Sequence, residues 1–397
     1  MEQHFDPSHV ANLAETIAHE LERPHTGDHL RPGARVALAV GSRGIVRLAE
    51  ITRAVAEEVR RRGATPFVVP AMGSHGGATA EGQRQILAGY GVDEPAVGAP
   101  VHSSMDTVEL GRLPDGTPVY FDRAASEADG IILINRIKPH TGFHGPIESG
   151  LVKMIAIGLG KHRGAGAMHH RGYPSFSRLL PEVARFSMSC MPILFGVAVV
   201  ENAFGQIAHL EAVPAAHILA REPELLTLAR ERMGRLLVER LDLLIVDEIG
   251  KNISGIGMDP NITGRFEEPS VVGGVQIQKI VVLRLTPETH GNAYGIGMAD
   301  VTTQDVLEGI DFAATYTNAA TSAVLAAARV PVVAPTARDA VVLAYRTLTG
   351  VTPGQAKIVR IRNTSELHRI WMCEHLWEES SGRPDLRSLS SPQPLAV

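Results

Sequence analysis

Between Lys138 and His170 the chain concentrates side chains able to move protons near neutral pH: Lys138, His140, His144, Glu148, Lys153, Lys161, His162, His169 and His170, interleaved with glycines. Neutral imidazole takes and returns a proton around pH 7, so His140 and His144 are candidate acid/base groups; either can instead be a loop-packing residue. Lys153 has apolar neighbours in Ser149-Gly150-Leu151-Val152-Lys153-Met154. Its amine is either desolvated, and so made nucleophilic, or snorkels from a helix start. His169 and His170 are adjacent, so on a helix their rings point about 100° apart; one can bind a metal while the other faces solvent.

Three further stretches offer related chemistry. Gly73-Ser74-His75-Gly76-Gly77 presents His75 as acid or base, next to backbone N–H groups able to hold phosphate or carboxylate. The alternative is a turn histidine that only closes its loop. Arg43 can grip a carboxylate through two parallel N–H bonds, or pair with Glu50. Lys251, in a loop of the second half, brings a positive charge. Asp259 and Asn261 either orient it or form the turn around Pro260.

Such loops need rigid supports. Ile131–Ile134 is a continuous apolar run of the kind a strand buried on both faces requires. Arg35–Val40, Thr65–Pro70, Pro192–Val200, Leu241–Val246, Ile280–Leu285, Val330–Ala334 and Ile358–Ile361 also read as strands. Between them lie helical stripes such as Leu48, Ile51, Val55 and Val59, and a helix over Ala80–Leu87 with Thr79 as N-cap and Gln83 near N3. Asp93–Phe121 suggests a short hairpin, and Pro223–Leu237 a charged helix leading to a boundary. The rhythm predicts an α/β fold: two α/β lobes with mostly parallel sheets and an active-site cleft between them. The expected limits are 1–238 for the N-terminal lobe, carrying the catalytic loops, and 239–379 for the C-terminal one. The Ser- and Pro-rich tail, 380–397, is expected to be disordered.

Bulk properties narrow the class. At 397 residues, two domains are the default, and 44% hydrophobic residues suit globular cores. A net charge of −5 gives no electrostatic reason for a nucleic-acid or anionic-membrane partner. Cys190 and Cys373 stand far apart with no C-x-x-C, against a disulfide scaffold or thiolate metal site. The N-terminus is polar, and no apolar run reaches the ~18–20 residues of a membrane span. The expectation is a cytoplasmic protein acting on a small molecule, with its oligomeric state open.

The segments Gly73-Ser74-His75, Lys138-Pro139-His140 and Ser149-Gly150-x-x-Lys153, together with His169, resemble the nickel-dependent lactate racemase family. The likeness is strongest from about residue 35 to 175 and looser beyond 240. It implies two α/β domains enclosing a nickel-pincer nucleotide and a 2-hydroxy acid racemised by proton-coupled hydride transfer. By position, Lys153 is then the cofactor lysine, with Lys138, Gly76, Gly77 and Ser149 around the cofactor, and His169 the nickel ligand. His75 becomes one acid/base histidine and His140 or His144 the other. Arg43, helped by Lys251, holds the substrate carboxylate. Departures mark a divergent branch: Val40-Gly41-Ser42-Arg43-Gly44 lacks the family's first-loop aspartate, and Gly150-Leu151 replaces a Gly-Gly pair. The expected substrate is therefore a 2-hydroxy acid other than lactate. Two other readings are a nickel-independent lyase or isomerase on a hydroxy or sugar acid, and a non-catalytic ligand-binding protein.

Overall fold

The computed structural model describes residues 1–41, 45–352, 354–380 and 382–394. Its strands, in chain order, are β1 (Glu2–Gln3), β2 (Arg35–Val40), β3 (Thr65–Pro70), β4 (Thr107–Arg112), β5 (Pro118–Asp122), β6 (Gly130–Arg136), β7 (Ile193–Glu201) and β8 (Ile207–Pro214). The second half adds β9 (Arg240–Ile249), β10 (Gln276–Leu285), β11 (Val301–Thr303), β12 (Val332–Ala334), β13 (Ile358–Ile361), β14 (Trp371–Met372) and β15 (Leu386–Arg387). The chain divides into two units, Ser8–Arg232 and Met1–Pro7 with Met233–Val397.

In the unit Ser8–Arg232, five strands lie in the order β3-β2-β6-β7-β8, parallel except for the antiparallel β7–β8 pair. Alternation along the strands feeds two cores. Ala37, Ala39, Ile131 and Leu133 join one apolar cluster, while Val36, Leu38, Val40, Ile132 and Ile134 join another. Both faces of β2 and β6 are thus covered, as a parallel sheet requires. The helix Leu48–Arg61 buries Leu48, Ile51, Val55 and Val59. Strands β4 and β5 form the expected hairpin as a separate two-stranded sheet.

The other unit repeats the plan with the order β12-β11-β10-β9-β13-β14, parallel but for β13–β14. Leu244, Val246, Ile280 and Val282 pack on one side and Leu243, Ile245, Val281 and Leu283 on the other. The expected α/β class with mostly parallel sheets is what the molecule has. Two details differ from the reading of the sequence. The tail expected to be disordered contributes β15, which pairs antiparallel with β1 and so draws the first residues into the C-terminal unit. The helix expected from Pro223 begins earlier, running Ile218–Arg232, and puts Glu222 on its buried side. Among the described residues, no helix is long and apolar enough to cross a membrane.

Candidate functional site

In the unit Ser8–Arg232 the chain passes from β2 outward to β3, then returns to place β6 on the other side of β2. Strand order reverses between β2 and β6, and ligand crevices in open α/β sheets form at the carboxyl ends of strands flanking such a point. The loop after β6 leaves from there. Its base is clipped by a backbone pair, Lys138 N–H to Ser149 O at 2.9 Å and Ser149 N–H to Lys138 O at 3.2 Å. Asn135, at the end of β6, donates its side-chain amide to Gly150 O at 2.7 Å and so ties the far end of the loop back to the sheet.

Glu148 organises the interior of this loop. Its side chain is 0% exposed and accepts the backbone N–H groups of His140 at 2.6 Å and Gly145 at 3.0 Å. His144 Nδ1 lies 3.1 Å from Oε1, and the Arg230 guanidinium donates to the same oxygen at 2.5 Å. Burial raises the carboxyl pKa, but these donors outweigh it and the net displacement is downward, so Glu148 is a carboxylate. His140 and His144 are four residues apart, yet on a loop rather than a helix, so helical zinc-ligand spacing does not apply to them.

Lys153 stands out by exposure. Every residue from Leu151 to Lys161 is buried except Lys153, which is partly open. It ends the single turn Leu151–Lys153, after which Met154–Gly158 winds as a π-helix closed by Leu159 N–H to Met154 O at 2.8 Å. Such widened turns recur at functional sites because they re-aim neighbouring side chains. Glu222 caps the turn from below, accepting the Val152 N–H at 2.9 Å. Burial pushes its carboxyl up to about 8, against the pull of hydrogen bonds from Val152 and Leu151. Glycine at 150 is required here, because a Cβ would lie 2.4 Å from the Glu222 oxygen.

His169 ends the helix Lys161–His169 and is half-buried, while its neighbour His170 is exposed. The adjacent pair splits as helical geometry demands. His169 packs against Tyr173 and Phe176 at ring separations of 5.9 and 5.3 Å, and His140 packs against Phe143 and Tyr173 at 4.4 and 5.9 Å. Tyr173 thus bridges the two imidazoles. Burial, then the charge of Lys153, lowers His169 to about 4. Burial also holds His140 well below 6.5, with Lys153, Lys138, His169 and His144 acting in the same direction. Those charges reach His140 because the groups converge around it.

His75 follows β3. Its loop is pinned to the Lys153 segment by Gly73 N–H to Gly158 O at 3.1 Å. Gln83, expected to complete a capping box, instead lies fully buried and donates to Gly73 O at 2.8 Å and His75 O at 3.3 Å. Thr79 does cap, accepting the Gly82 N–H at 3.0 Å. Beneath the loop, fully buried Lys161 donates to Pro70 O at 2.5 Å and pairs with Asp122 at 3.0 Å. Burial lowers Lys161 and raises Asp122, each opposed by its partner. The Gly76–Ala78 turn separates His75 from the helix Ala80–Gly89, so His75 does not sit at that helix's N-terminus. Gly76 has φ +66° and meets Gly82 so closely that a Cβ would lie 2.5 Å from its carbonyl carbon.

Lys251 belongs to the other unit, in the loop after β9. Its amine donates to Gly255 O at 2.6 Å and lies 4.6 Å from the Tyr294 ring centre. The Tyr294 hydroxyl donates to buried Glu267 at 2.5 Å. Asp259 caps the short turn Pro260–Thr263 and accepts from Asn261, the turn-forming alternative of the sequence reading. Arg43 lies outside the described residues; Glu50, its suggested partner, pairs with Arg47 at 2.6 Å.

Glu148, Glu222, Arg230 and the Lys161–Asp122 pair were not singled out for these roles by sequence reasoning. The four-residue step from His144 to Glu148 was a usable signal; the other partners are remote in sequence. Among the described residues, no group of three or more His, Cys, Asp or Glu is arranged to hold a metal. A neutral imidazole at His169 beside an accessible amine at Lys153 nevertheless suits a ligand group that brings its own donors and needs one nitrogen and one lysine from the protein.

Residues 2–175 match the family model described as the lactate racemase N-terminal domain. No curated protein matches the chain. Its fold is similar to the lactate racemase apoprotein of Thermoanaerobacterium thermosaccharolyticum, with a TM-score of 0.54 and 15% identity over 91% of this chain and 93% of that one.

Proposed function

We propose that the chain, whose residues 2–175 match the lactate racemase N-terminal domain, is a divergent member of that family and interconverts the stereoisomers of a 2-hydroxy acid other than lactate. The observation that supports this reading is the cluster in which the Tyr173 ring packs against both His140 and His169, beside a loop whose base is clipped at Lys138 and Ser149 just ahead of Lys153. Clustered perturbed groups at strand ends are the usual mark of a reactive site.

The family implies a nickel-pincer nucleotide. Lys153 would hold it covalently and His169 would supply the protein's nitrogen to nickel, with Lys138, Ser149, Gly76 and Gly77 nearby. When bound, such a group would supply a reversible hydride acceptor for the substrate's C2. The protein's own residues handle the proton. Inversion through a planar keto acid calls for an acid/base group at the hydroxyl for each face, a role suited to His75 and to His140 or His144. Each imidazole serves one stereoisomer: it takes the hydroxyl proton when that stereoisomer is oxidised and gives a proton back when that same stereoisomer re-forms. Tyr173, Phe143 and Phe176 limit water around the imidazoles, which strengthens electrostatic contacts there. Arg43 and Lys251 remain the carboxylate-binding residues that the resemblance suggests.

The test is stereochemical. Protein produced in a host that makes the cofactor is incubated with single stereoisomers of a panel of 2-hydroxy acids, and products are resolved by chiral chromatography. Interconversion of one of them, abolished by nickel removal, is the expected result. Turnover that survives chelation, or in a host lacking the cofactor, would instead indicate a nickel-independent lyase or isomerase.

A further inference from the structure

His140 and His144 share a loop and a neighbourhood, but their Nδ1 atoms face opposite partners. His144 Nδ1 lies 3.1 Å from the carboxylate of Glu148, which can only accept. In the neutral ring the proton must therefore sit on Nδ1, leaving the lone pair on Nε2. His140 Nδ1 receives the backbone N–H of Gly142 at 2.9 Å, and an amide can only donate. Its neutral ring must therefore carry the proton on Nε2. One carboxylate underlies both arrangements, since Glu148 also accepts the His140 backbone N–H and so fixes the turn that brings Gly142 onto Nδ1.

We propose that Glu148 is a positioning residue that divides the work of the two histidines: His144 accepts a proton at Nε2, and His140 donates a hydrogen bond from Nε2 to a substrate oxygen. The tautomers follow from the hydrogen bonds alone; the roles rest on the racemase reading. Protonating His144 at Nε2 yields an imidazolium whose second N–H stays on Glu148, so the positive charge forms beside an existing negative one. Protonating His140 requires displacing the Gly142 N–H, with the Lys138 and Lys153 charges acting against the added proton. Arg230, on the same Glu148 oxygen at 2.5 Å, helps hold the carboxylate in place.

Long-range proton–nitrogen correlation spectra of ¹⁵N-histidine-labelled protein, at a pH where both rings are neutral, test the tautomers without cofactor or substrate. His140→Gln and His144→Gln variants assign the two signals. His144 is expected to show a protonated Nδ1 and an unprotonated Nε2, and His140 the reverse. The same tautomer at both positions would overturn the proposal. In Glu148→Gln the His144 signal should lose its Nδ1–H character; if that variant does not fold, the wild-type spectrum still decides. In the loaded enzyme, His144→Gln should lower kcat about 10²–10⁴-fold with KM little changed, whereas His140→Gln should mainly raise KM. The reverse pattern of kcat and KM overturns the division of roles. Failure of every 2-hydroxy acid to turn over would strike the racemase reading while leaving the tautomers as measured.

Discussion

Two loops of this protein start from similar places and end differently. The loop after β6 leaves where strand order reverses between β2 and β6; that after β9 leaves where it reverses between β9 and β13. In the second, Lys251 bonds to a carbonyl of its own loop and rests on Tyr294, whose hydroxyl reaches Glu267. Burial raises the Glu267 carboxyl, opposed by the hydrogen bond from Tyr294 and then by the charge of Lys251. In the first, a buried carboxylate gathers backbone and imidazole donors inside the loop, while burial first, and then Lys153 and Lys138, hold His140 below its ordinary range. A switch-point loop is therefore not by itself a reactive site. A shielded imidazole with two lysines near it distinguishes the loop after β6.

That contrast can be broken most directly by removing one lysine from each loop. Lys153→Ala should leave no covalent cofactor and no turnover, while Lys251→Met should keep a measurable kcat with a raised KM; equal losses would erase the distinction. His75→Ala should reduce kcat about 10²–10⁴-fold with KM nearly constant in steady-state kinetics, and an unchanged rate would remove it from acid/base duty. Asp122→Ala leaves Lys161 buried without its carboxylate and should destabilise the unit Ser8–Arg232 by about 3–5 kcal/mol in urea unfolding. A loss below about 1 kcal/mol would show that the pair does not support the loops above it.

Glu222 sharpens the same comparison through pH. Its folded-state pKa is raised from 4.5 to about 8 by burial, so the native state keeps a proton that the unfolded chain has shed. The stability it contributes is complete below about pH 4.5 and is lost as pH rises through about 8. Glu222→Gln keeps an acceptor for Val152 and should flatten this part of the stability–pH curve; an unaltered slope would show that Glu222 is ionised in the native state. The smallest effect expected is that of Thr79→Ala, about 1 kcal/mol from the lost N-cap, with turnover unchanged.

The sequence revealed the sheets because their strands are short continuous apolar runs, as strands buried on both faces require; Arg35–Val40 and Thr65–Pro70 match their observed limits. The helix carrying Glu222 was expected only from Pro223, yet that proline lies inside Ile218–Arg232. That error hid a buried acid beneath Lys153. Gln83 read as a local cap, since nothing local shows that it turns inward to the carbonyls of Gly73 and His75. The tail looked unstructured because its pairing with β1 depends on residues at the opposite end of the chain. Imidazoles and amines of the site were visible by type and spacing. The partners that orient them were not, because Arg230 reaches Glu148, and Asp122 reaches Lys161, only after folding.

The central claim is that Lys153 and His169 serve one cofactor on the unit Ser8–Arg232. Peptide-mapped mass spectrometry with nickel analysis, on protein co-produced with cofactor-making enzymes, tests it most directly. The account predicts an adduct on Lys153, absent from Lys153→Ala, and nickel that falls away in His169→Ala while the fold persists. An adduct on another lysine, no adduct at all, or full nickel in His169→Ala would contradict it.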